Sequence, residues 1–97
     1  MRWIAIFTDT PKMLEVRARL QDEHLAFLDR YRDEIVLAGG CRLQPEGDYM
    51  GGLWIFEVAG RERAVELIGQ DPYFIHGARS YELRIWGKAF PGRQILL

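Results

Sequence analysis

Alternating β-rich and helical segments, each closed by its own turn signal, constrain this chain more than any other feature. The first, Arg2 to Thr8, is rich in β-branched and aromatic residues and stops at Asp9-Thr10-Pro11. Thr10 is placed to cap a helix with Pro11 at its first position, where the missing N–H costs nothing. From there to about Arg32 the apolar residues Leu14, Ala18, Leu25 and Leu28 recur at helical spacing. The chain turns extended at Ile35-Val36-Leu37-Ala38, reaches Gly39-Gly40, and passes through a turn-rich loop over 44–52. A strand over Leu53–Val58 follows, then a helix over 61–69 that buries Ala64, Val65, Leu67 and Ile68. Gly69 is its expected C-cap, and Asp71-Pro72 prevents its continuation. The last strand is Tyr81–Trp86, and Pro91-Gly92 opens an apolar tail. The order βαββαβ predicts an α+β, ferredoxin-like fold, an antiparallel sheet with two helices on one face.

A sheet covered on one side should alternate to polar residues on the other. Here Ile4 and Ile6 lie opposite Trp3, Ala5 and Phe7, and Leu53 and Ile55 lie opposite Trp54, Phe56 and Val58. Both faces of two strands are therefore apolar, and one is aromatic. Such a surface left in water is unusual for a monomer. A chain this short also buries only ~60–70% of its unfolded surface. The expectation is a single domain over residues 1–97 that forms a homodimer or a larger assembly. Its aromatic sheet face would pack on a second copy, with the tail, residues 89–97, at that interface.

Thirteen basic against fourteen acidic residues leave a net charge of −1, which gives no electrostatic footprint for nucleic acid or an anionic membrane. No run of ~18 apolar residues could cross a bilayer. The apolar start ends at Thr8-Asp9-Thr10-Pro11 without a small-residue cleavage site. Cys41 is the sole cysteine; it excludes an intrachain disulfide and a multi-thiolate metal site, and fits a reducing cytoplasm. There is no His-Glu-x-x-His, Cys-x-x-Cys or phosphate-binding Gly-x-x-x-x-Gly-Lys. The only serine, Ser80, lacks a nucleophile-elbow context. What remains is a cytoplasmic domain for a small-molecule ligand, with no metal and no cofactor expected.

His24 is the better placed of two histidines, mid-helix at the edge of the Leu14/Leu25/Leu28 stripe. Arg17 and Tyr31, one heptad either side, project along nearly the same line. The residues alone leave two readings, a packed histidine satisfied by a local hydrogen bond or an acid–base group lining a cavity. Asp71 likewise is either turn punctuation or the partner of His24, since the segment after the second helix returns toward the first. A carboxylate accepting from one imidazole nitrogen fixes the tautomer and supports proton transfer at the other. Trp54, Phe56, Tyr73 and Trp86 are candidates for a pocket wall or for plain packing.

Taken together, these elements resemble the YciI-like (YCII) family. The resemblance spans about residues 2–88 and rests on Asp9-Thr10-Pro11, His24-Leu25-x-x-Leu28, Gly39-Gly40, the strand opened by Gly52, and Asp71-Pro72-Tyr73 followed by Gly77. It implies a dimeric α+β barrel and an active-site pair mapping onto His24 and Asp71; beside that pair, Arg17, Trp54 and Tyr73 are expected as substrate-binding residues. One branch of the family dechlorinates a chlorinated hydroxyhydroquinone without metal or organic cofactor. The implied function is acid–base chemistry of lyase or isomerase type on a small polar or hydroxyaromatic molecule. The alternative is a non-enzymatic binding or interaction module on the same scaffold. Two positions depart from the family pattern: Gln21, where many relatives carry Arg, and Cys41, where many carry Pro. Arg17 and Arg42 are the cations available to compensate.

Overall fold

The computed structural model describes residues 1–95. It arranges them as β1 (Arg2–Asp9), α1 (Met13–Arg30), β2 (Ile35–Arg42), β3 (Tyr49–Glu57), α2 (Arg61–Gln70), α3 (Pro72–Ile75) and β4 (Arg79–Ile85). Strand β1 pairs with β3 on one side and β4 on the other, and β2 pairs with β3, all antiparallel. The sheet order is β2-β3-β1-β4, so the ferredoxin-like βαββαβ topology holds. Strands β2 and β4 each pair on one side only. The sheet is therefore open and does not close into a barrel, which corrects the α+β-barrel expectation.

Directly paired residues share a face, and the register assigns the faces. Ala5 lies between Trp54 and Leu83, Phe7 pairs with Tyr81, and Ile35 pairs with Phe56. These side chains form one core with Phe27 of α1 and with Ala64, Leu67 and Ile68 of α2, so both long helices cover the aromatic face. The wide rings fill the gap between sheet and helices, with Phe7 and Trp54 4.8 Å apart and Trp54 and Phe56 5.9 Å apart. The face away from the helices carries aliphatic residues instead, Ile4, Ile6, Leu37 and Leu53 around a buried Ile55, with Arg84 and Glu82 of β4 beside Ile4 and Ile6. This corrects the expectation that the aromatic face is the one left open.

Helix α1 starts two residues later than its sequence signals suggest. The Thr10 hydroxyl donates to the Ala78 carbonyl at 3.0 Å rather than capping the helix, and residues 11–12 form a turn. The helix is also rotated by one residue, about 100°, from the expected stripe. Its inward line is Met13, Val16, Leu20, His24 and Phe27, whereas Leu14 and Leu25 are exposed. The inward line meets Tyr73 and Ala78 in a small second core and brings His24 to a buried partner, described below.

Strand β3 extends back through residues expected to be loop. Gly51 and Gly52 are ladder residues, opposite Thr8 and Phe7 of β1. A Cβ on Gly51 would stand 2.2 Å from the Phe7 carbonyl oxygen, and one on Gly52 2.8 Å from that of Gly39. Close backbone approach, not a turn, requires these glycines. Helix α2 runs past Gly69 to Gln70, and Asp71 serves as its C-cap. Asp71 then caps α3, a short helix absent from the sequence reading, by accepting the Tyr73 N–H with Pro72 at the first helical position. Gly77 takes the positive φ expected of it, 68°. Of the tail, Leu96 and Leu97 lie outside the described residues. Among the described residues, no helix is long and apolar enough to cross a membrane.

Candidate functional site

Five elements converge on a cavity of about 160 Å³ on the helix-covered side of the sheet. Helix α1 presents Arg17, Gln21 and His24, which fall on one side of the helix at spacings of four and three. Strands β2 and β3 supply Ala38, Gly39, Gly40, Tyr49 and Trp54, while Tyr73 enters from α3 and Arg79 from the first residue of β4.

At one end, His24 Nδ1 lies 2.7 Å from Asp71 Oδ1, and the Asp71 carboxylate is fully buried. The same oxygen accepts the Tyr73 backbone N–H at 3.1 Å. An ionised carboxylate only accepts hydrogen bonds, so Nδ1 carries the proton and the Nε2 lone pair is free for chemistry. Among the described residues nothing in the chain hydrogen-bonds Nε2, and nothing pairs with the buried Asp71 Oδ2. The Tyr73 ring stacks on the imidazole, with centroids 3.7 Å apart and planes within 6°. Backbone capping fixes the carboxylate, the carboxylate fixes one ring nitrogen, and stacking fixes the ring plane. Burial pushes the Tyr73 phenol above its ordinary value of 10.0. Asp71 and Asp9 add to that shift, while Arg17 and Arg79 oppose it.

The other end is built on Asp9, the last residue of β1, whose side chain is only 1% exposed. Its Oδ1 accepts from Arg79 Nε at 2.9 Å, and its Oδ2 from Arg17 Nη2 at 2.8 Å and Nε at 3.2 Å. Arg17 Nη2 also reaches the Gly51 carbonyl at 3.0 Å. Aromatic faces hold both guanidiniums, with Arg17 4.8 Å from the Tyr49 ring and Arg79 4.6 Å from that of Phe7.

Of the residues expected at the site, the fold brings His24, Asp71, Arg17, Trp54 and Tyr73 together. Phe56 is instead fully buried in the core, and Trp86 sits beyond the end of β4 against a separate hollow. Tyr31 donates to Gln70 at 2.9 Å, away from the cavity. Arg42 stacks on Tyr49 but does not line the cavity, and Cys41 is exposed. Sequence reasoning missed Arg79, Asp9 and Tyr49. The signal for Arg79 was strand parity: beginning β4 two residues earlier puts it opposite Asp9. Among the described residues, no group of three potential metal ligands converges.

A model of the YCII-related domain matches residues 1–87. Among solved structures, the chain is similar to 5-chloro-2-hydroxyhydroquinone dehydrochlorinase from Burkholderia phenoliruptrix in complex with 2,5-dihydroxybenzoquinone. That likeness has 23% identity and a TM-score of 0.80, over 90% of this chain and 94% of that one. It is also similar, at 14% identity and a TM-score of 0.47, to an uncharacterised NIPSNAP domain protein from Burkholderia xenovorans, over 94% of this chain and 99% of that one. No curated protein matches the sequence. The dehydrochlorinase likeness establishes the fold.

Proposed function

The chain belongs to the YCII-related domain family, and from that membership and the buried His24–Asp71 pair we propose an acid–base enzyme of lyase or isomerase type. Its substrate is a small polar or hydroxyaromatic molecule. The observation that carries the reading is the 2.7 Å approach of Nδ1 to a fully buried carboxylate beside an open cavity. A cavity of ~150 Å³ takes up benzene, so the site is of single-ring size. The similar dehydrochlorinase, by its name, acts on one substituted ring. His24 Nε2 takes a proton from a ring hydroxyl, and the electron pair moves into the ring. The imidazolium returns that proton to a ring carbon, giving the keto tautomer; where that carbon bears a leaving group, loss of a second hydroxyl proton to Nε2 expels it as an anion and leaves a quinone. Asp71 stabilises the imidazolium formed on the way. A positioned base of this kind supplies ~10²–10⁴ in rate, enough for acidic hydroxyaromatics.

The direct test follows 5-chloro-2-hydroxyhydroquinone by absorbance with wild type and His24→Ala. The expected result is turnover by the wild type and a loss of ~10²–10⁴ in the variant. Equal rates would remove His24 from the chemistry. Saturable binding of hydroxyaromatics with no turnover across a substrate panel would establish the binding-module reading instead.

Self-association belongs to the same proposal, with the two copies meeting through the aliphatic face of Ile4, Ile6, Leu37, Leu53 and Ile55. Ile6 and Leu37 are 41% and 44% exposed there, an arrangement costly in water. Sedimentation is expected to give twice 11.3 kDa, and Ile6→Glu is expected to give the monomer. A monomeric wild type at micromolar concentration would overturn this. A cytoplasmic location completes the proposal, since the exposed, unpaired Cys41 thiol fits a reducing compartment.

A further inference from the structure

We infer that the Asp9 end of the cavity is an anion subsite. There Arg79, with Arg17, grips the carboxylate of a single-ring organic acid. Asp9 engages only part of each guanidinium: Arg79 through Nε, and Arg17 through Nε and Nη2. Among the described residues, no hydrogen bond within the chain occupies either terminal amino group of Arg79 or the Nη1 group of Arg17. The Arg79 side chain is only 2% exposed, yet it lines the cavity. Buried charged donors are normally paired, and these have the cavity on their open side. A charged donor walled by aromatic rings and screened from bulk water binds an anion more strongly than one at the surface.

The surroundings make the subsite rigid and shape its ligand. Gly40 carries no side chain where a Cβ would stand 2.6 Å from the Tyr49 ring and 3.5 Å from Arg17 Nη1. Tyr49 can therefore lie against both Gly40 and the Arg17 guanidinium. Planar guanidinium groups match a planar two-oxygen acceptor, which selects a carboxylate, and about 160 Å³ leaves room for one ring beyond it. With its carboxylate at Arg79, such a ring extends toward His24 Nε2. That orientation rests on the acid–base reading above; the binding itself does not.

Isothermal titration with benzoate and its uncharged isostere benzamide tests the subsite. The wild type is expected to bind benzoate at least ~10-fold more tightly than benzamide, and Arg79→Met is expected to lose that preference while holding benzamide unchanged. His24→Gln is expected to keep the preference, so a failure of the acid–base reading would leave this result standing. Should Arg79→Met fail to fold, the wild type decides alone. His24, Tyr49 and Tyr73 are the titratable groups on the cavity wall, with Asp9 and Asp71 behind it. In His24→Gln, which removes the imidazole from the wall, an arginine subsite holds benzoate within ~3-fold between pH 6 and 9. Absence of a benzoate preference, its loss in His24→Gln, or a ~10-fold fall in that variant over that pH range would each overturn the inference.

Discussion

Replacing Asp71 by alanine and by asparagine separates its two tasks, holding the backbone and holding the imidazole. The fully buried carboxylate accepts two hydrogen bonds on one oxygen, from His24 Nδ1 and from the Tyr73 N–H. Alanine removes both. Loss of the α3 cap costs about 1 kcal/mol, and a buried imidazole donor left unpaired costs about 1–3 kcal/mol. Together these come to ~2–4 kcal/mol. In a domain of this length each kcal/mol moves Tm by about 4–8 °C, so Asp71→Ala should melt roughly 10–30 °C below the wild type. Asparagine behaves differently because the Tyr73 N–H demands an acceptor at the Oδ1 position. That demand holds the amide oxygen in place, and His24 keeps its Nδ1–H tautomer while losing only the neighbouring charge. Asp71→Asn should therefore fold within about 1–2 kcal/mol of the wild type, with its amide nitrogen replacing an oxygen that already lacked a partner. Thermal melts measure the first effect, and long-range ¹H–¹⁵N correlation on ¹⁵N-histidine protein, at a pH where the ring is neutral, reads the tautomer. An Asp71→Ala melt within 2 °C of wild type, or an Nε2–H tautomer in wild type or Asp71→Asn, would refute the reasoning.

Two further predictions concern the frame around the site. Gly51→Ala places a Cβ 2.2 Å from the Phe7 carbonyl and must push β1 and β3 apart. It is expected to cost about 1–3 kcal/mol, whereas Gly39→Ala, with open space around its Cβ, should be neutral or stabilising by about 0.4–1 kcal/mol. Equal melts for the two variants would show that the ladder tolerates the side chain. The raised Tyr73 phenol, displaced chiefly by burial, makes alkali destabilising. The fold favours its protonated form, so that contribution is complete below pH 10 and is lost as pH rises through the folded-state value. Tyr73→Phe should flatten the fall in stability above pH 10, and an unchanged alkaline slope would remove Tyr73 as its source.

The sheet was legible because β-branched and aromatic runs separated by Asp-Pro, Gly-Gly and Pro-Gly leave few other assignments. Where the reading failed, tertiary contact overrode a local signal. Gly51 and Gly52 look like turn residues in isolation, yet the neighbouring carbonyls that make a side chain impossible belong to Phe7 and Gly39, far away in sequence. Thr10 resembles an N-cap, but its hydroxyl is taken by Ala78, 68 residues on. The barrel came from the resemblance and not from the residues; the strand order, with single-sided edges at β2 and β4, shows an open sheet. Both faces were correctly read as apolar. Assigning the aromatic one to the helices required knowing the direction in which α1 looks.

That direction is the point where fold and site become one question. Two stripes compete along α1, spaced almost identically and one residue apart: Leu14, Ala18, Leu25, Leu28 against Met13, Val16, Leu20, His24, Phe27. Counting apolar residues favours neither decisively, and the second contains a histidine, which a hydrophobic pattern marks as a fault. The fault vanishes once Asp71 is placed. A buried imidazole without a partner is costly, but one bonded to a buried carboxylate at 2.7 Å and stacked at 3.7 Å on Tyr73 satisfies the inward stripe. The partner lies 47 residues away and is aimed by a four-residue helix whose cap it also provides. No window along one helix contains that information. The same reasoning explains why Arg79 escaped notice while Arg17 did not. Arg17 shares a helix with His24, whereas Arg79 enters the cavity only through its register with Asp9 across the β1–β4 ladder. Residues that reach the site along one element could be read from spacing; those that reach it through pairing between elements required the fold.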